Sequence, residues 1–135
     1  MFVLDASVVA SWCFPDELHP HAEAAFRSIA DEPAMAPVLL WFELRNVLLM
    51  GERRSRLSAA QTARFLKYVS ELPIEVDRDP DGEVVLSLAR TYQLSVYDAA
   101  YLELAQRKIL SLATLDNALI SAARAANVPL VGEES

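Results

Sequence analysis

The sequence predicts an α/β fold built on a mainly parallel central sheet. Short apolar runs bounded by turn or acidic residues alternate with stretches whose apolar positions recur at helical spacing. That alternation is the mark of strands joined by crossover helices, with a sheet covered on both faces. No repeat, low-complexity segment or linker interrupts the 135 residues. One domain over residues 1–132 is therefore expected, with a frayed tail at 133–135.

Phe2-Val3-Leu4 reads as the first strand, and Asp5-Ala6-Ser7 as a helix start with Ser7 as N-cap. A short apolar helix over 8–14 is broken by Pro15-Asp16-Glu17. Alanine-rich residues 21–30 form a second helix, and Ala34-Met35-Ala36 a brief strand. Pro37 opens a helix that runs to about Arg53, apolar through Met50 except for Glu43, Arg45 and Asn46. A helix over 57–72 carries Ser58 as its cap, and Pro73-Ile74-Glu75-Val76 is a strand. Helices over 82–92 and about 97–108 flank a turn at 93–96. A strand over 109–114, a helix over 117–126 and a last short strand over 128–131 complete the chain.

With 53% hydrophobic residues the chain can build a sizeable core. No uncharged stretch is longer than residues 33–42, about half of a bilayer span, so no membrane segment is expected. The start lacks the basic region of a signal peptide, and a lone Cys13 suits a reducing cytoplasm; cytoplasmic localisation is expected. The net charge of −7 runs against nucleic-acid binding by simple phosphate neutralisation. Either nucleic acid is not the partner, or some carboxylates hold cations while basic residues form a local patch.

In parallel α/β sheets ligands sit beyond the carboxyl ends of the strands, where strand order reverses. Asp5 and Asp116 each follow a strand, though a loop aspartate there also serves as a helix cap. Glu43 lies among core-type neighbours, where an unpaired carboxylate requires a cation, a hydrogen-bond network or a raised pKa. Asn46, three residues on, lies on the same helical face and can orient it. The competing readings are an ion pair with Arg45 or Arg53, or a narrow solvated stripe. Asp98 sits near a helix N-terminus, where an acid also complements the helix dipole. Two such charges 4 Å apart repel by about 4 kcal/mol at an effective dielectric near 20, so convergence of all four calls for a counter-ion. A hard divalent cation, Mg²⁺ or Mn²⁺, matches oxygen donors. One cysteine and two histidines do not make a usual zinc set.

Asp5-Ala6-Ser7 after the first strand, Glu43 with Asn46 on a helix, Tyr97-Asp98-Ala99 opening a later helix and Thr114-Leu115-Asp116 after a strand come in an order that resembles the PIN-domain family. The likeness covers essentially the whole chain, and its length, its start and its closing Val128-Pro129-Leu130-Val131 are similar to VapC-type toxins. The resemblance implies an α/β/α sandwich and a site in which Asp5, Glu43, Asp98 and Asp116 surround Mg²⁺ or Mn²⁺, Asp5 and Asp98 as the principal ligands. It implies that Ser7 and Thr114 orient the acids, with Asn46 behind them. It also implies endonucleolytic cleavage of RNA, a homodimer, and an antitoxin whose C-terminal segment covers the site. Asp16 and Glu17 add acids near the expected groove. Without the four site acids the net charge of −7 falls to −3. Arg45, Arg53, Arg54 and Arg56 are candidates for RNA contact, although basic residues at a helix C-terminus also complement its dipole.

Asp77-Arg78-Asp79-Pro80-Asp81-Gly82 mimics the start of an EF-hand loop, but Leu88 stands where a bidentate glutamate is needed. His19 and His21 suit a solvated turn. Trp12, Trp41, Phe42, Tyr97 and Tyr101 suit core or dimer packing better than base stacking. Three glycines, Gly51, Gly82 and Gly132, make no phosphate loop. A phosphoryl-transfer domain using Asp5 is a rival, but a haloacid-dehalogenase-type enzyme needs a second acid where Ser7 stands. A non-catalytic PIN-like scaffold is the third reading.

Overall fold

The structure, a computed structural model, describes residues 1–17 and 19–133. Four parallel strands, β1 (Phe2–Leu4), β2 (Ala34–Pro37), β3 (Ile74–Asp77) and β4 (Ser111–Ala113), form one sheet in the order β3-β2-β1-β4. Phe2 pairs with Ala34 on one side and with Ser111 on the other. The helices are α1 (Ala6–Ser11), α2 (Pro20–Ile29), α3 (Leu40–Arg53), α4 (Ala59–Ser70), α5 (Gly82–Tyr92), α6 (Val96–Lys108) and α7 (Asn117–Ala125).

The two-residue period of β1 sorts the core into two halves. Phe2 and Leu4 point into a cluster with Val8 and Val9 of α1, Ala22 and Ile29 of α2, Leu40, Leu44 and Leu48 of α3 and Val69 of α4. Val3, between them, points the other way, into a cluster with Val85 and Leu88 of α5, Leu102 of α6 and Leu119 of α7. Helices thus cover both faces, and the expected three-layer α/β/α sandwich with a parallel sheet is the architecture found. Helix α6 lies so deep that residues 99–105 are all buried. None of the described helices is long and apolar enough to cross a membrane.

Several boundaries differ from the sequence reading. Asp5, not Ser7, caps α1, because the Asp5 backbone N–H still pairs with Ala113 O at 3.1 Å and the helix begins only after it. Pro37 closes β2 opposite Asp77 instead of opening α3, which starts at Leu40. Proline is tolerated at that strand end because its missing N–H leaves little of the ladder unpaired. Ile109 is not in β4; it ends α6 in the left-handed region at φ 55° and is 91% exposed. Residues 128–131 contribute one parallel bridge, Leu112 to Leu130, in place of a full strand. Within the expected frayed tail, Glu133 bonds Leu130 O through its backbone N–H and pairs with Arg124, whereas residues 134–135 lie outside the described residues. Helix α3 is also less enclosed than its composition suggests, since Val38 just before it and Phe42, Val47 and Leu49 on it are exposed.

Candidate active site

Strand order reverses between β1 and β4, the point where an α/β sheet opens a crevice at its carboxyl edge. Asp5 stands just past β1 at that point, 4% exposed, with three donors on its carboxylate. Ser7 Oγ and the Val8 backbone N–H donate to Oδ1 at 2.6 and 3.1 Å, and Thr114 Oγ1 donates to Oδ2 at 2.5 Å. The same hydroxyls also accept: Leu115 N–H donates from the opposite loop to Ser7 Oγ at 3.0 Å, and Asp116 N–H donates within its own loop to Thr114 Oγ1 at 3.1 Å. Two loops more than a hundred residues apart in sequence are stitched across the switch point through Asp5.

Burial nevertheless dominates the Asp5 carboxyl, pushing its pKa up to about 6 against the pull of the Ser7, Thr114 and Val8 hydrogen bonds, with the Asp98 charge adding to the rise. Asp116 caps α7, its Oδ1 accepting from Leu119 N–H at 2.8 Å. Asp98 lies in the first turn of α6, whose N-cap Ser95 accepts from its backbone N–H at 3.0 Å. Its carboxyl is raised by burial and then by the charge of Asp116, with Ser95 opposing. Glu43, in the first turn of α3, is raised by burial and by Asp98, opposed by a hydrogen bond from Tyr101. Asp98 is therefore the hub: its charge is felt by Asp5 and Glu43, and it feels that of Asp116.

Tyr101 is the residue sequence reasoning missed. Its hydroxyl donates to Glu43 Oε1 at 2.7 Å across 58 residues of chain, from a ring only 1% exposed. Burial first, then the hydrogen bond to Glu43, push the phenol far above its ordinary range, so it remains a donor at every physiological pH. The available signal was its spacing of three from Asp98, which puts both on one face of α6. Glu43 is thus oriented by Tyr101 and not by Asn46, which is exposed and lines a neighbouring cavity with Ser7.

The basic candidates separate. Arg45 bonds the Trp41 carbonyl, and Arg53 and Arg54 are exposed at the end of α3. Arg56 is engaged by Asp16 at 3.3 Å and Glu17 at 3.0 Å, which gives those two acids a partner, and it lies over the Phe14 ring. Away from the edge, Arg107 bridges Asp77 and the buried Glu103, while Glu103 also accepts from the Asp81 N–H; this tie between α6, β3 and the start of α5 was not anticipated.

Among the described residues no three acidic, histidine or cysteine side chains stand close enough to cage an ion unaided. The donor set still fits Mg²⁺ or Mn²⁺, because a small hard cation keeps several waters and takes one or two carboxylates together with substrate phosphate oxygens. Carboxyls raised by burial and mutual repulsion are the groups such a charge would relieve.

The PIN domain family matches residues 2–125. No curated protein sequence shows significant similarity. Among solved structures, PAE2754 of Pyrobaculum aerophilum is 26% identical at a TM-score of 0.70, over 90% of this chain and 84% of that one. The sarcin–ricin loop cleaving toxin VapC20 of Mycobacterium tuberculosis is 14% identical at 0.63, over 90% and 95%. FitAcB from Neisseria gonorrhoeae is 17% identical at 0.65, over 96% of each chain.

Proposed function

The chain belongs to the PIN domain family, whose members are in general nucleases, and on that footing we propose that it is a Mg²⁺- or Mn²⁺-dependent endoribonuclease, the toxin of a type II toxin–antitoxin pair. The observation carrying the proposal is that the charge of Asp98 acts on both Asp5 and Glu43, and that of Asp116 on Asp98, beside the switch point of the sheet. Carboxyls raised by burial and by a neighbouring acid charge, as Asp5, Glu43 and Asp98 are, suit a cation and a phosphodiester.

The chain's own residues divide the work. Ser7, Val8 and Thr114 hold both oxygens of Asp5, fixing the direction of the lone pairs left for a cation. Asp98, half-buried across from it, is the second principal ligand. Glu43 is steered by Tyr101 and, with its raised pKa, is suited to accept the proton of the attacking water, a role Asp116 shares as alternative. A bound divalent cation would supply Lewis-acid polarisation of the phosphate and a lowered pKa for water. The toxin assignment draws on the likeness in fold to VapC20 and FitAcB. It brings with it an antitoxin partner, a homodimeric state and a cytoplasmic setting.

Purified protein is expected to cut single-stranded RNA in Mg²⁺ and to stop in EDTA. Mn²⁺ should raise its melting temperature, because a ligand bound only by the native state stabilises it by mass action. Asp98→Asn should abolish cutting and shrink the Mn²⁺ increment. Cleavage that persists in EDTA, or an Asp98→Asn protein with the full increment, would sink the proposal.

A further inference from the structure

A cavity of about 420 Å³ opens between α1 and α3, within the range of about 300–1,000 Å³ in which small ligands are held. Ser7, Phe14, Asn46, Met50, Arg54 and Arg56 line it. Ser7 lines this cavity and bonds Asp5, and Leu115 of the opposite loop lines it too, so the cavity adjoins the Asp5 cluster.

Charge within the lining is arranged for an anion. Glu17 is the acid among the lining residues, and Arg56 neutralises it at 3.0 Å. That leaves Arg54, whose side chain makes no hydrogen bond or ion pair among the described residues. Asn46 is likewise exposed, with no side-chain hydrogen bond among the described residues, so its amide offers two donors and an acceptor to an incoming group. Arg56 lines the cavity with its guanidinium carbon 4.2 Å from the Phe14 ring centroid and its side chain 37% exposed, so the group is held in place and open to a ligand. Gly51 explains how this stack fits against α3: a Cβ there would come within 3.1 Å of the Phe14 ring. A free cation, a free amide and a flat guanidinium are the three contacts that a single nucleotide of unpaired RNA takes, at its phosphate, base edge and base face.

We infer that this cavity is the subsite for the nucleotide next to the scissile phosphate, with Arg54 on its phosphate, Asn46 on its base edge and Arg56 against its base. The inference rests on the ribonuclease reading above and extends it to a substrate contact. It concerns RNA and not a protein segment, because the cavity adjoins, through Ser7 and Leu115, the acidic edge where the phosphodiester must lie.

Steady-state cleavage of a labelled single-stranded RNA in Mg²⁺ tests it. Arg54→Ala should raise KM by about tenfold with kcat within about twofold, and should reduce the salt dependence of kcat/KM by about one unit of slope. Val47→Trp, at a half-exposed position of the lining, should raise KM without altering any charge. Asn46→Ala should relax base preference at one position of a randomised RNA. Arg90→Ala, exposed on α5, is the control and should behave as wild type. Wild-type KM and salt slope in both Arg54→Ala and Val47→Trp would overturn the subsite while leaving the nuclease intact. Val47→Trp that cleaves normally but no longer binds a partner protein would give the cavity to that partner. A wild-type protein that cuts no RNA overturns both readings together.

Discussion

Three hydrogen bonds converge on Asp5, yet burial outweighs them and its pKa rises from 3.8 to about 6. In that interval the native state holds a proton that the unfolded chain has released, so stability is greatest below the unfolded pKa and falls as pH climbs through the folded one. A shift of this size corresponds to about 3 kcal/mol lost by neutral pH in the absence of a divalent ion. Asp5→Asn should therefore melt higher than wild type in EDTA at about pH 7.5 and alongside it near pH 4, while losing activity; two parallel melting profiles across pH would contradict the burial account. The stability of the protein near neutral pH is thus set partly by the charge of one buried carboxyl. Tyr101 is the complementary case, a ring that packs as core and acts through one hydroxyl at Glu43.

Helix α6 shows how one element serves both packing and site. Its first turn carries Asp98, its next Tyr101, and its buried middle the core of one face of the sheet. Its last turns are fixed by Arg107, which holds the nearly buried Asp77 and Glu103. Arg107→Ala should lower unfolding free energy by about 3 kcal/mol, the lower end for a broken buried pair, because the guanidinium keeps some contact with water. Adding Glu103→Leu should recover part of that loss in denaturant melts; an Arg107→Ala protein of wild-type stability would show the network to be idle. The helix ends on Ile109 with φ 55°, a β-branched side chain in the left-handed region and 91% exposed. Ile109→Gly should stabilise by about 1 kcal/mol, since glycine adopts that conformation without steric conflict. No gain in melting temperature would mean that the exposed isoleucine is held by contacts outside this chain.

For the molecule as a whole, the fold was open to reading because alternation of strand and helix sets the sheet and the two-residue period of β1 sets its faces. The acids after strands were legible for the same reason: Asp5 and Asp116 must lie on the carboxyl edge once β1 and β4 are parallel neighbours. What escaped were partners chosen in three dimensions. Tyr101 meets Glu43 across 58 residues, and nothing near either one announces the other. Arg107 and Glu103 form a visible i,i+4 pair, but the third member, Asp77, is 30 residues from the arginine. Ser7 and Asp5 are both good capping residues, and only the last strand hydrogen bond decides between them. Composition misled in one place: the apolar helix α3 leaves Phe42 73% exposed.

The hydrogen bonds that cross from Leu115 N–H to Ser7 and from Thr114 to Asp5 have a temporal side. During synthesis the first aspartate leaves the ribosome early, but its clasping hydroxyl arrives only with the final strand of the sheet. A nascent chain therefore carries most of its helices before it carries a finished cleft, and the acidic edge is the last part of the fold to be completed.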